Sequence, residues 1–332
     1  MRPRLALLAA AIVFAAAAPA APPATTPYGK REDVRQFVRE MVARHQFVEE
    51  ELRYLFARAR REPAILAAIV PPKEPRDRSW RAYRARFVNE SRVAEGVGFW
   101  RRNAASLERA AREHGVPEEI VVAIIGVETA YGQQMGSHRV IDALSTLAFD
   151  YPPRADFFRG ELEQYLLYAR ESGIDLFSVR GSYAGAIGIP QFMPTSYRKF
   201  AVDFDGDGAI DLRTSAADAI GSVANFLARH GWRRDERVQL PARVSGGAFR
   251  TLLDAGIEPA TPLSGLKNFG VETRTDLPLE TLVALVDLES PGTATEYRLA
   301  LRNFYVITRY NRSALYAAAV HDLAQELRNR KK

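Results

Sequence analysis

Cysteine is absent from all 332 residues, which removes disulfides, thiolate metal sites and a lipid-acceptor cysteine behind any export signal. The five histidines, His45, His114, His138, His230 and His321, stand far apart without metal-ligand spacing, so each reads as a surface or capping residue. No Gly-x-x-x-x-Gly-Lys-Ser/Thr phosphate loop and no Gly-x-Ser-x-Gly nucleophile elbow occurs, which sets aside P-loop nucleotide chemistry and the α/β-hydrolase nucleophile. Glycine is missing from Lys30 to Glu95, leaving that stretch free for helices. The apolar run over residues 5–18 is too short for a membrane span.

What is present is globular in texture, with 47% hydrophobic and 26% charged residues, enough for one large domain or two closely packed lobes. Residues 1–20 carry Arg2 and Arg4, the apolar run, and Ala18-Pro19-Ala20 as a small-x-small cleavage site, which predicts a signal peptide. A soluble, exported, periplasmic protein is expected, and residues 21–29 read as a flexible leader. The formal charge of +6 favours an acidic partner. Nucleic acid is disfavoured, because along residues 31–61 the basic side chains alternate with acids, the pattern of a solvated helix face.

The pattern predicts a mostly α (α+β) protein. Apolar residues Val34, Phe37, Val38, Met41, Phe47, Leu52, Leu55 and Phe56 recur mostly at helical spacing, and residues 79–111, 156–172, 215–229 and 313–328 read as further helices. Pro117, Glu118 and Glu119 open the helix that follows His114-Gly115, and Ser215-x-x-Asp218 forms a capping box. Between residues 238 and 301 the texture turns to short β-prone pieces, predicting a small sheet inserted into the helical body.

Glu128 is a lone acid in the most apolar run of the chain beyond the signal, residues 120–132. On a helix it shares a face with Val121, Ile124 and Ile125, which turns it toward the interior. Burial penalises the anion, so the expected pKa rises toward neutrality, as a general acid requires. A structural acid satisfied by an arginine or a backbone amide is the alternative for one buried Glu. Downstream, Gly181-Ser182-Tyr183-Ala184-Gly185-Ala186-Ile187-Gly188-Ile189-Pro190-Gln191-Phe192-Met193-Pro194 is too glycine-rich for a helix and too apolar for a solvent loop. It is expected to fold against the core. Ser182 and Gln191 would then hydrogen-bond hydroxyl or acetamido groups, and Tyr183, Phe192 and Met193 would offer apolar faces to sugar rings; a buried structural turn is the other reading.

These pieces resemble the lytic transglycosylases, and more closely the membrane-bound lytic murein transglycosylase B family, through Ser182 to Pro194, Ala219-Ile220-Gly221-Ser222-Val223-Ala224-Asn225-Phe226 and Asn303-Phe304-Tyr305-Val306-Ile307-Thr308-Arg309-Tyr310-Asn311-Arg312-Ser313. The resemblance implies a lysozyme-like helical core (about residues 115–232) with an additional helical lobe (about 30–114), a small β-sheet insertion (about 238–301) and a C-terminal helix. It implies cleavage of the MurNAc-GlcNAc β-1,4 bond of peptidoglycan glycan strands with formation of a 1,6-anhydro-MurNAc end, and Glu128 as the single acid and base. By the same resemblance Ser182, Gln191, Tyr310 and Asn311 contact saccharide, and Tyr83, Arg154 and Phe157 line the groove. A monomer is expected, with cell-wall synthesis complexes as candidate partners.

Asp203, Asp205, Asp207 and Asp211 occupy positions one, three, five and nine of an EF-hand-like loop, with Gly208 at six and Ala209 at seven. The spacing predicts structural Ca2+, although Thr214 stands where a bidentate acid usually closes the loop. No organic cofactor is expected. Two rivals are a hydrolytic muramidase using a second carboxylate, Asp142, Asp150 or Glu161, and a non-catalytic wall-binding scaffold of the same fold.

Overall fold

A computed structural model describes residues 26–70 and 79–332. The expected signal peptide lies outside the described residues, as does most of the leader. Of the leader's end, Tyr28 is buried and Tyr28–Lys30 form a 3-10 turn.

The chain divides into two compact units, meeting in sequence at Arg58 and Ala59. The first holds α1 (Glu32–His45) and α2 (Glu49–Arg58). Val34, Phe37, Val38 and Met41 of α1 and Leu52, Leu55 and Phe56 of α2 are buried; Phe47, the remaining residue of the periodic set read from sequence, is half-buried in the segment between the two helices. Phe37 meets Phe56 edge-on at 5.9 Å.

The second unit runs α3 (Pro63–Ala68), α4 (Trp80–Phe87), α5 (Glu90–Arg102), α6 (Ala104–His114), α7 (Glu118–Thr129), β1 (His138–Arg139), α8 (Val140–Asp150), α9 (Ala155–Ser172), β2 (Arg180–Gly181), α10 (Pro194–Phe200) and α11 (Ala216–Arg229). The small sheet follows, then α13 (Arg302–Thr308) and α14 (Ala314–Lys331). Helix α7 is apolar all round because it is central: α5, α6, α11 and α14 all pack on it. Such a helix has no polar face to spare, and its hydrogen bonds to water are replaced by packing. Gly126 belongs to this packing. A Cβ there would run into the phenol of Tyr131, whose hydroxyl reaches across to donate to the Arg92 carbonyl of α5 at 2.8 Å.

The inserted sheet is antiparallel throughout, in the order β4 (Thr261–Pro262), β6 (Leu282–Leu288), β7 (Glu296–Ala300), β3 (Gln239–Val244), β5 (Val271–Glu272), with α12 (Arg250–Asp254) between β3 and β4. Leu285 faces Leu299, which in turn faces Leu240, and these leucines join Phe249, Leu252 and Val283 in a core of their own. The sheet is tied to the helices by a partly buried ion cluster. Arg298 of β7 donates twice to Asp322 of α14, at 2.7 and 3.1 Å, and Arg84 of α4 donates to the same carboxylate at 2.7 Å.

Burial raises the Asp322 pKa, but His321, Arg298 and Arg84 outweigh it and hold the carboxyl well below its usual range. With its folded pKa depressed, Asp322 stabilises the fold above the ordinary carboxylate range and loses that effect as pH falls. Asp322→Ala leaves Arg298 largely buried and short of its partner, and is expected to cost about 3 kcal/mol at pH 7, read as a lower urea midpoint; an unchanged midpoint would contradict the role assigned to the cluster.

Candidate active site

Val121, Ile124 and Ile125 are fully buried on α7, as the helical spacing predicted. Glu128 departs from its neighbours. It is the one residue between Ile120 and Thr129 that is not buried, so the side chain is not turned wholly inward; it opens from the end of an apolar helix toward solvent. Protein still surrounds the carboxylate closely enough that desolvation prevails, and burial pushes its pKa up to about 7. Among the described residues no arginine or lysine pairs with it. Its partner is the phenol of Tyr316 on α14, which donates to Oε1 at 2.6 Å and pulls the pKa down, though by less than burial raises it. Ionising a carboxyl in this setting costs stability as pH rises through about 7, because the folded pKa exceeds the unfolded one.

Three phenols sense this carboxylate. Tyr83 of α4 is pushed up to about 12 by burial and then by the Glu128 charge. Tyr310 and Tyr316 are raised by the same two causes in the same order. The Tyr310 and Tyr316 rings stack at 6.4 Å and 13°, and Tyr310 donates to the Pro190 carbonyl at 2.5 Å. The structure thus gathers Tyr83 and Tyr310, both named from sequence, around Glu128. Tyr316 was missed. The one available signal was a hydroxyl-bearing ring set among Ala317, Ala318, Ala319 and Val320, where a buried phenol must find a partner.

The glycine-rich segment folds against the core as expected, with Ile187, Ile189 and Phe192 buried. Phe192 is a correction: at 2% exposure it cannot face a sugar, and instead it bridges the rings of Phe226 and Tyr310 at 5.6 and 5.8 Å. Tyr183 is exposed. Ser182 Oγ accepts from the Ala184 and Ala186 amides at 3.3 and 3.0 Å, so it shapes the turn as well as facing partly outward. Gln191 takes a left-handed φ of 51°, and its Nε2 donates to the carbonyls of Gly188 and Met135 at 2.8 and 3.2 Å. Fixing the amide by its nitrogen orients its oxygen. Asn311 is exposed beside Tyr310 in the chain. Arg154 and Phe157 are also exposed and stack on each other at 4.3 Å, without a contact that ties them to Glu128.

The carboxylates considered as second catalytic groups have other partners. Asp142 pairs with Arg139 at 2.6 Å and accepts from the Arg60 amide at 2.8 Å. Asp150 pairs with Arg61 at 3.3 Å, and Glu161 accepts from the Thr195 amide at 2.9 Å.

In the acidic loop, Asp203, Asp205 and Asp218 each offer a carboxylate oxygen within 4.8 Å of the others. Asp218 was expected as a capping residue. Its own amide does bond Ser215 Oγ at 3.1 Å, but its carboxylate turns to the loop and accepts from the Phe204 and Asp211 amides at 2.7 and 2.8 Å, so only half the capping box forms. Asp211 is engaged by Thr214 Oγ1 at 2.5 Å and the Arg213 amide at 2.9 Å, and Asp207 accepts from the Ala209 amide at 2.8 Å. Three converging carboxylates of one charge suit an oxygen-bound divalent cation.

A family model described as "Transglycosylase SLT domain" matches residues 29–325. The chain is 40% identical over 307 residues, 90% of its own length and 83% of the relative's, to the membrane-bound lytic murein transglycosylase B of Escherichia coli (strain K12). It is similar in structure to soluble lytic transglycosylase SltB1 from Pseudomonas aeruginosa, with a TM-score of 0.84 and 48% identity over 90% of this chain and 100% of that one. The Escherichia coli lytic transglycosylase Slt35 in complex with calcium is similar at a TM-score of 0.80 and 38% identity, covering 94% and 96% of the two chains.

The Tyr316 hydrogen bond favours the charged form of Glu128, so removing it has a definite sign. In Tyr316→Phe the Glu128 carboxyl is expected to titrate above the value of about 7 set with the bond in place, visible as an infrared carboxyl band that persists to higher pH. A band lost at lower pH than in the unaltered protein would overturn this assignment.

Proposed function

The chain belongs to the transglycosylase SLT domain family and is a lytic murein transglycosylase acting on peptidoglycan; we propose that Glu128 is its only acid and base. The observation that carries this reading is a carboxyl pushed up to about 7, reachable from solvent, with a phenol and no cation beside it. Half-protonated near neutral pH, it can donate to the glycosidic oxygen between MurNAc and GlcNAc. The substrate's acetamido carbonyl stabilises the anomeric centre, so no protein nucleophile is needed. Once ionised, Glu128 keeps the hydrogen bond from Tyr316, and it then removes the proton from the muramic 6-hydroxyl as that oxygen closes on C1. A 1,6-anhydro end results, and the carboxyl is protonated again for the next turnover.

The carboxylates considered for the second group that hydrolysis usually requires, Asp142, Asp150 and Glu161, hold structural partners. Around Glu128, Tyr83 and Tyr310 are assigned to the saccharide walls, Gln191 and Ser182 to polar contacts from the glycine-rich segment, and Asn311 to the rim. The exposed stack of Arg154 and Phe157 suits a more distant sugar or a stem carboxylate. The reading places the protein in the periplasm as a monomer, within reach of cell-wall synthesis complexes; among the described residues no helix is long and apolar enough to cross a membrane.

We further propose that the acidic loop holds Ca2+ through Asp203, Asp205 and Asp218, with Asp207, the Ala209 carbonyl and Asp211 completing the oxygen set. The similar Slt35 was solved with calcium. Bound there, the ion would neutralise clustered negative charge and stiffen the segment between α10 and α11; it takes no part in the proton transfers.

Glu128→Gln is expected to lower murein cleavage by about a hundred- to ten-thousand-fold while the protein stays folded. Cleavage at the unaltered rate would move catalysis elsewhere, and an unaltered protein that folds but cleaves nothing would favour the wall-binding scaffold. Calcium at a hundredfold excess over its Kd should add about 2.7 kcal/mol of stability, seen as a higher Tm that Asp205→Asn abolishes; a Tm indifferent to calcium would contradict the loop assignment.

A further inference from the structure

Thr129, the residue after Glu128, is fully buried. A buried hydroxyl in a helix commonly bonds back to the carbonyl four residues earlier, and here that contact is a long 3.4 Å to Ile125. The short bond goes elsewhere: Thr129 Oγ1 donates to the Ile189 carbonyl at 2.7 Å, sixty residues away, and accepts from the Gly132 amide at 3.0 Å. One hydroxyl therefore joins the end of α7 to the glycine-rich segment.

The two elements it joins both need holding. After Thr129 the chain takes three successive left-handed residues, Ala130, Tyr131 and Gly132, at φ 50°, 60° and 91°, and the two non-glycine ones carry roughly 1 kcal/mol of strain or more apiece. The Gly132 amide bonded to Thr129 closes that turn. On the other side, Ile189 donates its amide to the Leu212 carbonyl at 2.8 Å. Gly188, at φ 75°, makes this approach feasible, since a Cβ there would collide with the same carbonyl. Pro190 accepts from Tyr310, and Gln191 stands in its left-handed conformation next in line. Residues 188–191 are thus pinned to the acidic loop, to Tyr310 and, through Thr129, to the residue beside Glu128.

We propose that Thr129 is a positioning residue that fixes the wall segment 188–191 against the end of α7, keeping bulk water out so that the muramic 6-hydroxyl, and not water, takes the anomeric carbon. The inference deepens the reading of Glu128 as sole acid and base and rests on it. Two consequences follow from one cause. If the wall loosens, water solvates the Glu128 anion, and the pKa raised by desolvation falls back toward 4.5. Water also gains access to C1, its oxygen bonding there and its proton passing to Glu128 in place of the 6-hydroxyl proton, which leaves a reducing end. The groups facing Glu128 do not mask this. Tyr316 from α14 donates to it, and Tyr83 and Tyr310 sense it as neutral phenols. On α5, Arg92 is directed to the Gly126 carbonyl at 2.6 Å, and no charged side chain of α5, α6 or α11 contributes to the carboxyl's shift.

The test compares Thr129→Val, which keeps the shape and deletes the hydroxyl, with Thr129→Ser, which keeps the hydroxyl, in the full chain acting on murein. In Thr129→Val the alkaline limb of the kcat/KM profile should move down by about one pH unit, cutting activity above that limb about tenfold, and mass spectrometry should show water-added reducing ends beside the anhydro ends. Thr129→Ser should restore both readouts. A Thr129→Val protein that melts earlier but keeps its alkaline limb and its purely anhydro product would overturn the proposal and leave Thr129 a structural residue. Should Thr129→Val not fold, Thr129→Ala is judged by the same two readouts. The underlying reading fails differently, through an active Glu128→Gln protein or through an unaltered protein that yields reducing ends alone.

Discussion

A carboxyl largely desolvated by its surroundings, though its side chain stays partly open, is the constraint around which this molecule is arranged. Glu128 sits at the end of a helix whose preceding eight residues are all buried, and desolvation there outweighs the one hydrogen bond that favours its charge. On the proposed reading, an arginine in place of Tyr316 would hold the carboxyl ionised and remove the proton source, and a fully sealed pocket would exclude the glycan. The observed compromise is a partly open side chain, a neutral donor and a ring of phenols that stay protonated at any working pH.

The rest of the second unit serves to hold that arrangement. Asp322 lies on the same helix as Tyr316 and gathers Arg84, from the helix of Tyr83, and Arg298, from the inserted sheet. The helices of two of the phenols around Glu128 are thereby joined by one half-buried acid. The acidic loop reaches the site through two hydrogen bonds, from the Ile189 amide to the Leu212 carbonyl and from the Thr129 hydroxyl to the Ile189 carbonyl. A cation in that loop would stiffen a segment only two hydrogen bonds from the helix that carries Glu128.

What sequence could reveal followed the range of each signal. Helix positions were legible because apolar spacing is local, and Glu128 stood out because an acid in an otherwise apolar run has few explanations. Of the acidic cluster, Asp203 and Asp205 were legible from spacing. Long-range pairings were not: Tyr316 reads as an ordinary core ring until its partner 188 residues away is known, and Asp218 carries a local capping pattern that competes with its actual engagement across the loop. Phe192 failed for a related reason. Its aromatic character was evident, but which side of the segment it faces is set by Phe226 and Tyr310, both distant in sequence.

The central claim is that desolvation, not a charged neighbour, keeps Glu128 protonated near neutrality. The most direct measurement is a 13C NMR titration of the Glu128 side-chain carboxyl in the unaltered, substrate-free protein. The account predicts a midpoint of about 7. A midpoint near the ordinary 4.5 would contradict it, because the site would then hold an anion at working pH and have no proton to give.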